Sequence, residues 1–401
     1  MRWNEIQAFM ADRRIDGWLV FDFRCNNPIL ARLLPSAPPP APKRWTTRRA
    51  ALFVPASGRP VLLAQTLDAG QFGGAAALGV EVETYISWAQ LHAFIEKHCA
   101  GGRIAMEYSP GNALPVVSVA DAGIVELVRS RGAEVVSSAD LIQVAAARWS
   151  AEAVKLHAEA SCKVAGVKDA AFAMIRERLA AGRAVHEHEA AQFIRDRFVA
   201  EGLEYPDGPI VAVNEHAADP HYEPAADHPR EIRKGDWILI DLWARKPGDE
   251  NIYSDITWTG FAGREVPARH REVFGAVRAA RDAALKAAKD GWAAKRTVQG
   301  WQLDEAARKV IIEAGFAKGI KHRTGHSLSP GALVHGVGMN LDNLETHDTR
   351  GMLAGTGFTI EPGIYLPDEK LGVRNEINVY VDPAKGPVVT SCDQTEIVLV
   401  G

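Results

Sequence analysis

Short apolar runs and amphipathic stretches alternate along the first third of the chain. Apolar residues at helical spacing predict a helix at the start and further helices over residues 87–98 and 114–132. The apolar runs are bounded by turn residues, which is typical of β-strands. They cover residues 17–23, 50–55, 60–64, 79–85 and 103–107. This alternation predicts a small α/β domain with a mixed sheet.

After residue 148 the pattern changes to longer helices between paired strands. Ser150 is a residue type that caps helices, and it precedes a helix expected to end at Gly182. Further helices are predicted at 187–201, 267–290 and 299–314, and strands in GPIVAVN, WILIDLW, YSDITWTGF, FTIEPGIY, EINVYVD and TEIVLV. Helices interleaved with antiparallel hairpins indicate an α+β fold. We therefore predict two domains, residues 1–148 and 149–401.

The bulk composition describes an ordinary globular protein. With 401 residues the chain is long for one core, and 47% of the residues are hydrophobic. No apolar run is long enough to span a membrane, and the first residues lack the apolar core of a signal peptide. The net charge of -4 argues against a nucleic-acid partner. Four widely separated cysteines predict reduced, mostly buried thiols in a cytoplasmic protein.

Five candidate metal ligands lie in the C-terminal half. They are Asp241, Asp255, His326, Glu361 and Glu376. Each stands in an apolar or glycine-flanked segment, where a carboxylate is normally paired or metal-bound because burying it alone is costly. The two aspartates fall in facing arms of one predicted hairpin, and the two glutamates flank the turn of another. Four carboxylates and one imidazole suit two divalent cations that hold a hydroxide, so the sequence predicts a di-metal site.

These segments resemble the pita-bread metallopeptidases, the family of methionine aminopeptidase, aminopeptidase P and prolidase. The matching residues are Asp241, Asp255 in SDIT, His326 in TGHS, Glu361 in TIEPGIY and Glu376 in VRNE. The resemblance covers essentially the whole chain and favours the aminopeptidase P and prolidase branch. It implies a C-terminal pita-bread domain, with helices packed on a curved antiparallel sheet. It also implies a smaller, creatinase-type α/β domain before it.

The resemblance implies roles for further residues. His221, in the PHY segment that follows Asn214, would contact the substrate and the forming tetrahedral centre. His335 would stabilise that centre, and Glu361 would carry a proton from the attacking water to the leaving amine. His322 and Arg374 match substrate-binding positions, the arginine also pairing with ligand carboxylates.

Three departures from the family pattern accompany these matches. Asp255 follows Asp241 by 14 residues and His335 follows His326 by nine, and both spacings are longer than the family's usual ones. Ser327 replaces the glycine that usually follows the ligand histidine. Longer turns leave strand register adjustable, so the ligand geometry is expected to survive. The serine puts specificity more in question than chemistry.

The resemblance implies hydrolysis of Xaa-Pro dipeptides through a hydroxide that bridges two metal ions. Mn²⁺ or Co²⁺ suit an oxygen-rich site with one imidazole, and Zn²⁺ is the alternative. An aminopeptidase P that acts on longer Xaa-Pro peptides is the alternative function. Metal-free creatinase-type amidinohydrolases and non-catalytic binding modules are the other classes, and the full ligand set argues against both. The family also implies a homodimer.

Three further features support predictions: an acidic and histidine-rich segment, two tryptophans, and a proline-rich loop followed by arginines. His186, Glu187, His188 and Glu189 lack the HExxH spacing of a metal site and predict a helix start, where acidic residues are favourable. Trp243 and Trp258, near the two aspartates, are candidates for a proline pocket. Residues 34–43 are a proline-rich loop, and Arg44, Arg48 and Arg49 after it are hypothesised to reach over a cleft of a partner subunit and bind the dipeptide carboxylate.

Overall fold

A computed structural model describes residues 3–35 and 44–401 of the chain. The chain divides into two compact units, Met1–Ala146 and Ala147–Gly401. Most of the predicted proline-rich loop lies outside the described residues. That the first unit is of the creatinase type, and that the boundary follows residue 148, stay predictions.

The first unit is built on one mixed sheet of six strands. The strands are β1 (Gly17–Phe23), β2 (Arg49–Pro55), β3 (Val61–Gln65), β4 (Glu81–Tyr85), β5 (Arg103–Met106) and β6 (Glu134–Ser137). Their order in the sheet is β4-β3-β2-β1-β5-β6. Strands β1 to β3 pair antiparallel, and the outer pairs are parallel. The five predicted strands and the mixed sheet are confirmed.

Short helices accompany this sheet. They are α1 (Trp3–Asp12), α2 (Pro28–Leu33), α3 (Trp88–Cys99), α4 (Ala122–Ser130) and α5 (Ala139–Ile142). Ser87 begins α3 with a reciprocal capping box to Gln90. The helix predicted over 114–132 was too long, because Asp121 caps α4 through the backbone N–H of Ile124 and a separate 3-10 turn precedes it.

Four long helices belong to the second unit. They are α6 (Ala151–Ala180), α7 (Glu187–Ala200), α8 (Ala268–Ala293) and α9 (Gly300–Glu313). The Ser150 hydroxyl accepts a hydrogen bond from the backbone N–H of Ala153, which confirms the predicted cap. Helices α6 and α7 pack on one group of strands and α8 and α9 on another, and each group encloses a separate apolar core.

Ten strands complete the second unit. They are β7 (Ile210–Val213), β8 (Trp237–Ala244), β9 (Ser254–Phe261), β10 (Ser327–Leu328), β11 (Gly357–Ile360), β12 (Gly363–Leu366), β13 (Leu371–Arg374), β14 (Ile377–Asp382), β15 (Gly386–Val389) and β16 (Val398–Leu399). The sheets have the orders β16-β9-β8-β7, β10-β11-β14-β15 and β12-β13. All pairs are antiparallel except β16 with β9. Mostly antiparallel sheets covered by helices are the predicted α+β arrangement.

The FTIEPGIY segment, predicted as one strand, forms two. Strand β11 ends at Ile360, opposite Ile377, and β12 begins at Gly363, opposite Arg374. Both ladders have the same register, so Glu361 and Glu376 lie opposite each other at the interruption. Pro362 contributes to the break because it has no N–H to donate.

The four cysteines are free thiols. Cys99 is buried, but Cys25 and Cys162 are exposed, so the prediction of mostly buried thiols was wrong. The position of Cys162 on a solvent-facing side of α6 explains its exposure. Among the described residues, no helix combines the length and apolar character that crossing a membrane requires.

Candidate metal centre

Two adjacent strands present the first two carboxylates. Asp241 of β8 lies opposite Thr257 of β9, and Asp255 lies opposite Trp243. Because alternate residues of a strand face the same side, both aspartates project from one face of the pair. The intervening Ile240, Leu242 and Ile256 face the apolar core on the other side, which explains why the acids stand in apolar sequence.

His326 lies between two of the acids. Its Nε2 atom is 3.4 Å from Asp255 Oδ2 and 3.3 Å from Glu361 Oε1. The Nδ1 atom lies 3.2 Å from the carbonyl oxygen of Ser327, to which it can only donate. This bond assigns the proton to Nδ1 and leaves Nε2 free to bind a cation, the usual arrangement of a ligand histidine.

Glu376 completes a group of donors close enough to share one ion. One ligand atom each of Asp255, His326 and Glu376 lies within 4.8 Å of the others, and all three side chains are buried. The Oε1 atom of Glu376 is buried without a hydrogen-bond partner among the described residues. A buried carboxylate oxygen with no donor requires an explanation, and a cation supplies one. The donor set therefore fits a divalent metal.

Thr257 connects the remaining ligand candidates, and the sequence reasoning had not singled it out. Its hydroxyl lies 3.0 Å from Asp241 Oδ1 and 2.8 Å from Glu376 Oε2, and it accepts a bond of 2.8 Å from Arg374 Nε. Arg374 also forms a buried ion pair with Asp241. The position of Thr257 two residues after Asp255, on the same strand face, is the signal that could have identified it.

The electrostatics of the cluster favour added positive charge. Burial raises the pKa of Asp241 to about 7, although Arg374 opposes the rise. Burial and neighbouring carboxylates raise the pKa of Asp255 and Glu376 well above their ordinary values. Burial acts in the same direction on Glu361, but His326 and Arg374 outweigh it and bring its pKa below the usual value. A bound dication would stabilise all of these carboxylates in the ionised form.

The cluster lies in a cleft of about 860 Å³. His221, His322, His335 and Arg374 line this cleft together with the five ligand candidates. The ring of His335 lies 3.9 Å from that of His326, centre to centre, despite the longer spacing between them. The neighbouring imidazole of His326 and burial lower the pKa of His335 to about 4, so it is neutral at pH 7. The structure thus brings every predicted site residue to one cleft.

A directed chain of hydrogen bonds leads from Arg374 across the cleft wall. Arg374 Nη1 donates to the Tyr365 hydroxyl at 3.1 Å, and that hydroxyl lies 2.8 Å from His322 Nε2. His322 Nδ1 lies 2.6 Å from the carbonyl oxygen of Arg323 and must donate to it. Tyr365 therefore donates to His322, which fixes the tautomer of that histidine. Tyr365 is a second residue that the sequence reasoning missed.

The structure bears on two other predictions, the proline pocket of Trp243 and Trp258 and the helix start at residues 186–189. Trp243 lines the cleft, but Trp258 lies on the opposite face of β9, where Lys168 Nζ is 3.4 Å from its ring centre. Trp258 was therefore wrong as a pocket residue. The helix start predicted at residues 186–189 is confirmed, since α7 begins at Glu187.

Two of the three arginines after the proline-rich loop have side-chain partners within the first unit. Arg44 contacts the carbonyl oxygen of Leu34 and stacks on the Phe72 ring, whose centre is 4.5 Å away. Arg48 lies 3.9 Å from Asp68. Their predicted contact with a dipeptide carboxylate stays a hypothesis.

Helices packed on antiparallel sheets around a buried carboxylate and histidine cluster define a metallopeptidase of the pita-bread fold. The sequence matches metallopeptidase family M24 over residues 157–383, and the chain belongs to this family. The predicted family, fold class and enzyme class are confirmed.

Named relatives cover most of the chain. The probable dipeptidase PepE of Mycobacterium tuberculosis is 29% identical over 356 residues, which span 88% of this chain and 86% of the relative. The Xaa-Pro dipeptidase of Pyrococcus furiosus is 32% identical over 228 residues, 56% of this chain and 57% of that protein. The crystal structure of dipeptidase PepE from Mycobacterium ulcerans superposes with a TM-score of 0.67 at 25% identity, covering 100% of this chain and 97% of that one.

Proposed function

We propose that this chain is a metal-dependent dipeptidase that hydrolyses Xaa-Pro dipeptides in the cytoplasm. The observation that carries the proposal is the buried group of Asp255, His326 and Glu376, with an unpartnered carboxylate oxygen, inside a cleft that can admit a peptide. Membership of family M24 and the dipeptidase and Xaa-Pro dipeptidase names of the relatives support it.

Two divalent ions would be held by Asp241, Asp255, His326, Glu361 and Glu376. Oxygen donors outnumber nitrogen by four residues to one, which favours Mn²⁺ or Co²⁺ over Zn²⁺. When bound, such ions would lower the pKa of water, so that hydroxide is available as the nucleophile, and they would also polarise the scissile carbonyl. Arg374 pairs with Asp241, and the Thr257 hydroxyl lies within hydrogen-bond distance of both Asp241 and Glu376.

Glu361 is the residue best placed to move a proton. Its lowered pKa keeps it ionised at neutral pH, as a base must be to accept a proton from water. Thr359 donates to its Oε1 atom at 3.1 Å and holds the carboxylate beside His326. Glu361 would then deliver the proton to the nitrogen of the leaving proline, which as a secondary amine needs protonation to depart.

The remaining residues of the cleft would bind and orient the dipeptide. Neutral His335 can donate a hydrogen bond to the carbonyl oxygen as charge develops there, and His221 approaches from the rim. His322 and Arg374, which the Tyr365 hydroxyl links by hydrogen bonds, would bind the substrate from this wall of the cleft. The indole of Trp243 and the side chain of Leu333 offer apolar surface for the proline ring.

The test is hydrolysis of Leu-Pro and Leu-Pro-Pro by chelated protein reconstituted with Mn²⁺. We expect turnover of the dipeptide, and loss of at least about 100-fold in kcat for Glu361→Gln with Mn²⁺ binding retained in part. Preferential turnover of the tripeptide would identify an aminopeptidase P instead. Turnover of neither peptide, with Mn²⁺ bound, would contradict a prolyl peptidase altogether.

A homodimer, as the family resemblance implies, is the proposed assembly. Sedimentation equilibrium of the full chain measures its mass directly, and 43.5 kDa is the mass of one chain. A species of twice that mass supports the dimer. A monomer that retains full activity would contradict it.

A further inference from the structure

The two acids at the start of α7 have different environments. Glu189 is partly exposed and closes a capping box with the backbone N–H of His186 at 3.0 Å. Glu187, the first helical residue, is only 1% exposed. A carboxylate at a helix N-terminus gains from the helix dipole without leaving water, so the dipole does not explain why Glu187 is buried.

Three donors surround the Glu187 carboxylate, and all come from one stretch of chain. The backbone N–H of Val213 donates to Oε1 at 2.6 Å, and the Tyr222 hydroxyl donates to Oε2 at 2.5 Å. His216 Nδ1 lies 2.9 Å from Oε2. The rings of His216 and Tyr222 stack with centres 4.1 Å apart. One buried carboxylate therefore ties the end of β7 to Tyr222, nine residues later.

The start of this stretch is fixed by a second anchor. Asn214 has a positive φ of 49°. Its side-chain Nδ2 donates to Asp236 Oδ1 at 2.7 Å, and its Oδ1 accepts from the backbone N–H of Trp237 at 2.9 Å. The segment between Asn214 and Tyr222 thus has both ends held. The start is held by Asp236 and Trp237 as well as by Glu187 through Val213, whereas the Tyr222 side chain is held by Glu187.

His221 directly precedes Tyr222 and reaches the cleft. Its backbone N–H donates to Asp219 Oδ1 at 3.0 Å, while its imidazole has no hydrogen bond to any described part of the chain. The direction of the imidazole is therefore set by the backbone around residue 221. Tyr222, which is partly buried and donates a hydrogen bond to Glu187, is the next residue of that backbone and restrains it together with Asp219.

We propose that Glu187 is a positioning residue for His221, acting through Tyr222. The inference rests on the proposed function, in which His221 contacts the substrate. Glu187 itself is not among the residues that line the cleft. An amide in place of this carboxylate has one accepting oxygen for the three donors Val213, His216 and Tyr222, so the segment is loosened and the imidazole moves within the cleft.

Steady-state kinetics on Leu-Pro with the Mn²⁺-reconstituted full chain test the inference. Glu187→Gln and Tyr222→Phe are each expected to lower kcat on the order of 10-fold to 100-fold, because small displacements of a reacting group have effects of that size. KM and Mn²⁺ affinity are expected to stay within about twofold. Glu189→Gln, the matched change two residues along the same helix, is expected to behave as the natural protein does.

The decisive comparison uses His221→Ala. If Glu187 acts through His221, adding Glu187→Gln to His221→Ala causes no further loss of kcat. A further loss equal to that seen in the natural background would overturn the inference and assign Glu187 a general structural role. Should Glu187→Gln fail to fold, the same comparison with Tyr222→Phe, which keeps the ring, gives the answer.

A second measurement does not depend on turnover. In the metal-free chain with ¹⁵N-labelled histidines, the imidazole resonances of His221, assigned by their loss in His221→Ala, should shift in Glu187→Gln and Tyr222→Phe and stay unchanged in Glu189→Gln. Unchanged resonances in all three variants would overturn the positioning role. If the natural protein cleaves neither peptide, the proposed function fails, and these resonances still decide the role of Glu187.

Discussion

At the scale of single residues, replacing Glu376, whose Oε1 atom has no hydrogen-bond partner among the described residues, is predicted to weaken metal binding but to stabilise the metal-free protein. Glu376→Gln removes an anionic ligand, so we expect the Kd for Mn²⁺ to rise at least on the order of 100-fold. The same change removes a buried carboxylate whose pKa is raised by burial and by its acidic neighbours. The metal-free variant should therefore unfold at a higher temperature than the metal-free natural chain at pH 8.

Calorimetric titration with Mn²⁺ and thermal unfolding in chelator measure the two effects. Glu272→Gln, at a half-exposed carboxylate on α8, is the control and should change neither quantity. Natural Mn²⁺ affinity in Glu376→Gln would show that Glu376 is not a ligand.

The position of the Arg323 guanidinium on the cleft wall predicts that the protein prefers substrates with a free C-terminal carboxylate. Its backbone carbonyl is held by His322, while Nη1 lies 3.5 Å from the half-exposed Glu345 and 4.0 Å from Asp342. Asp342 already accepts three backbone N–H groups, so it does not depend on the arginine. An incoming carboxylate can therefore replace Glu345 as the partner of Arg323 on the cleft wall.

We expect the natural protein to have a lower KM for Leu-Pro than for its C-terminal amide. In Arg323→Gln, that preference should fall on the order of 10-fold, because a charge-assisted hydrogen bond to the free acid is lost and the amide is unaffected. Kinetics on both substrates measure it, with the Arg44, Arg48 and Arg49 triple variant for comparison. Loss of the preference in the triple variant alone would instead support the hypothesis of a partner subunit's arginine.

At the scale of elements, the two loops that are longer than the family pattern contact each other. The N–H of Gly331 donates to the carbonyl oxygen of Asp249 at 2.8 Å. Arg245, which is 3% exposed, donates to the carbonyl oxygen of Gly331 at 2.5 Å and to Glu204 at 2.6 Å. The turn between β8 and β9 thereby supports the loop that brings His335 onto His326.

Arg245→Lys is expected to loosen this contact, since an ammonium cannot reproduce the several bonds of a planar guanidinium. We predict a fall in kcat/KM for Leu-Pro on the order of 10-fold with unchanged Mn²⁺ affinity, because His335 moves and the ligands do not. Arg269→Lys, at an arginine on α8 that pairs with Glu369, is the matched control. Equal losses in both variants would indicate a non-specific effect of the substitution.

Local sequence signals account for the elements that were predicted correctly. Ser150 and the apolar spacing after it determine α6, and alternation places Asp241 and Asp255 on one strand face. The break at Glu361 was missed because apolar residues flank it on both sides. Thr257 was missed because its role comes from a contact with Glu376, which is 119 residues away along the chain. Tyr365 was missed because its role comes from a contact with Arg374 on the facing strand, nine residues away. The spacing of Thr257 from Asp255 places its side chain on the ligand face but does not show which groups it contacts there.

At the scale of the whole molecule, the metal cluster couples folding to pH. The folded pKa of Asp241 is about 7, and those of Asp255 and Glu376 are well above their ordinary values. In the unfolded chain these groups titrate near pH ~4. Between those values the folded, metal-free chain binds more protons than the unfolded chain. Its stability therefore decreases as the pH rises through that window, which for Asp241 extends from about 4 to about 7.

A bound dication reverses this dependence, because it requires the ionised carboxylates and displaces their protons. At fixed free Mn²⁺, we predict that the increase in Tm over chelated protein is larger at pH 8 than at pH 5.5. Differential scanning calorimetry of both forms measures it, and Glu376→Gln should show a smaller change with pH. An increase in Tm that is the same at both pH values would mean that Mn²⁺ binds without displacing protons from these carboxylates, and hence outside the cluster of Asp255, His326 and Glu376.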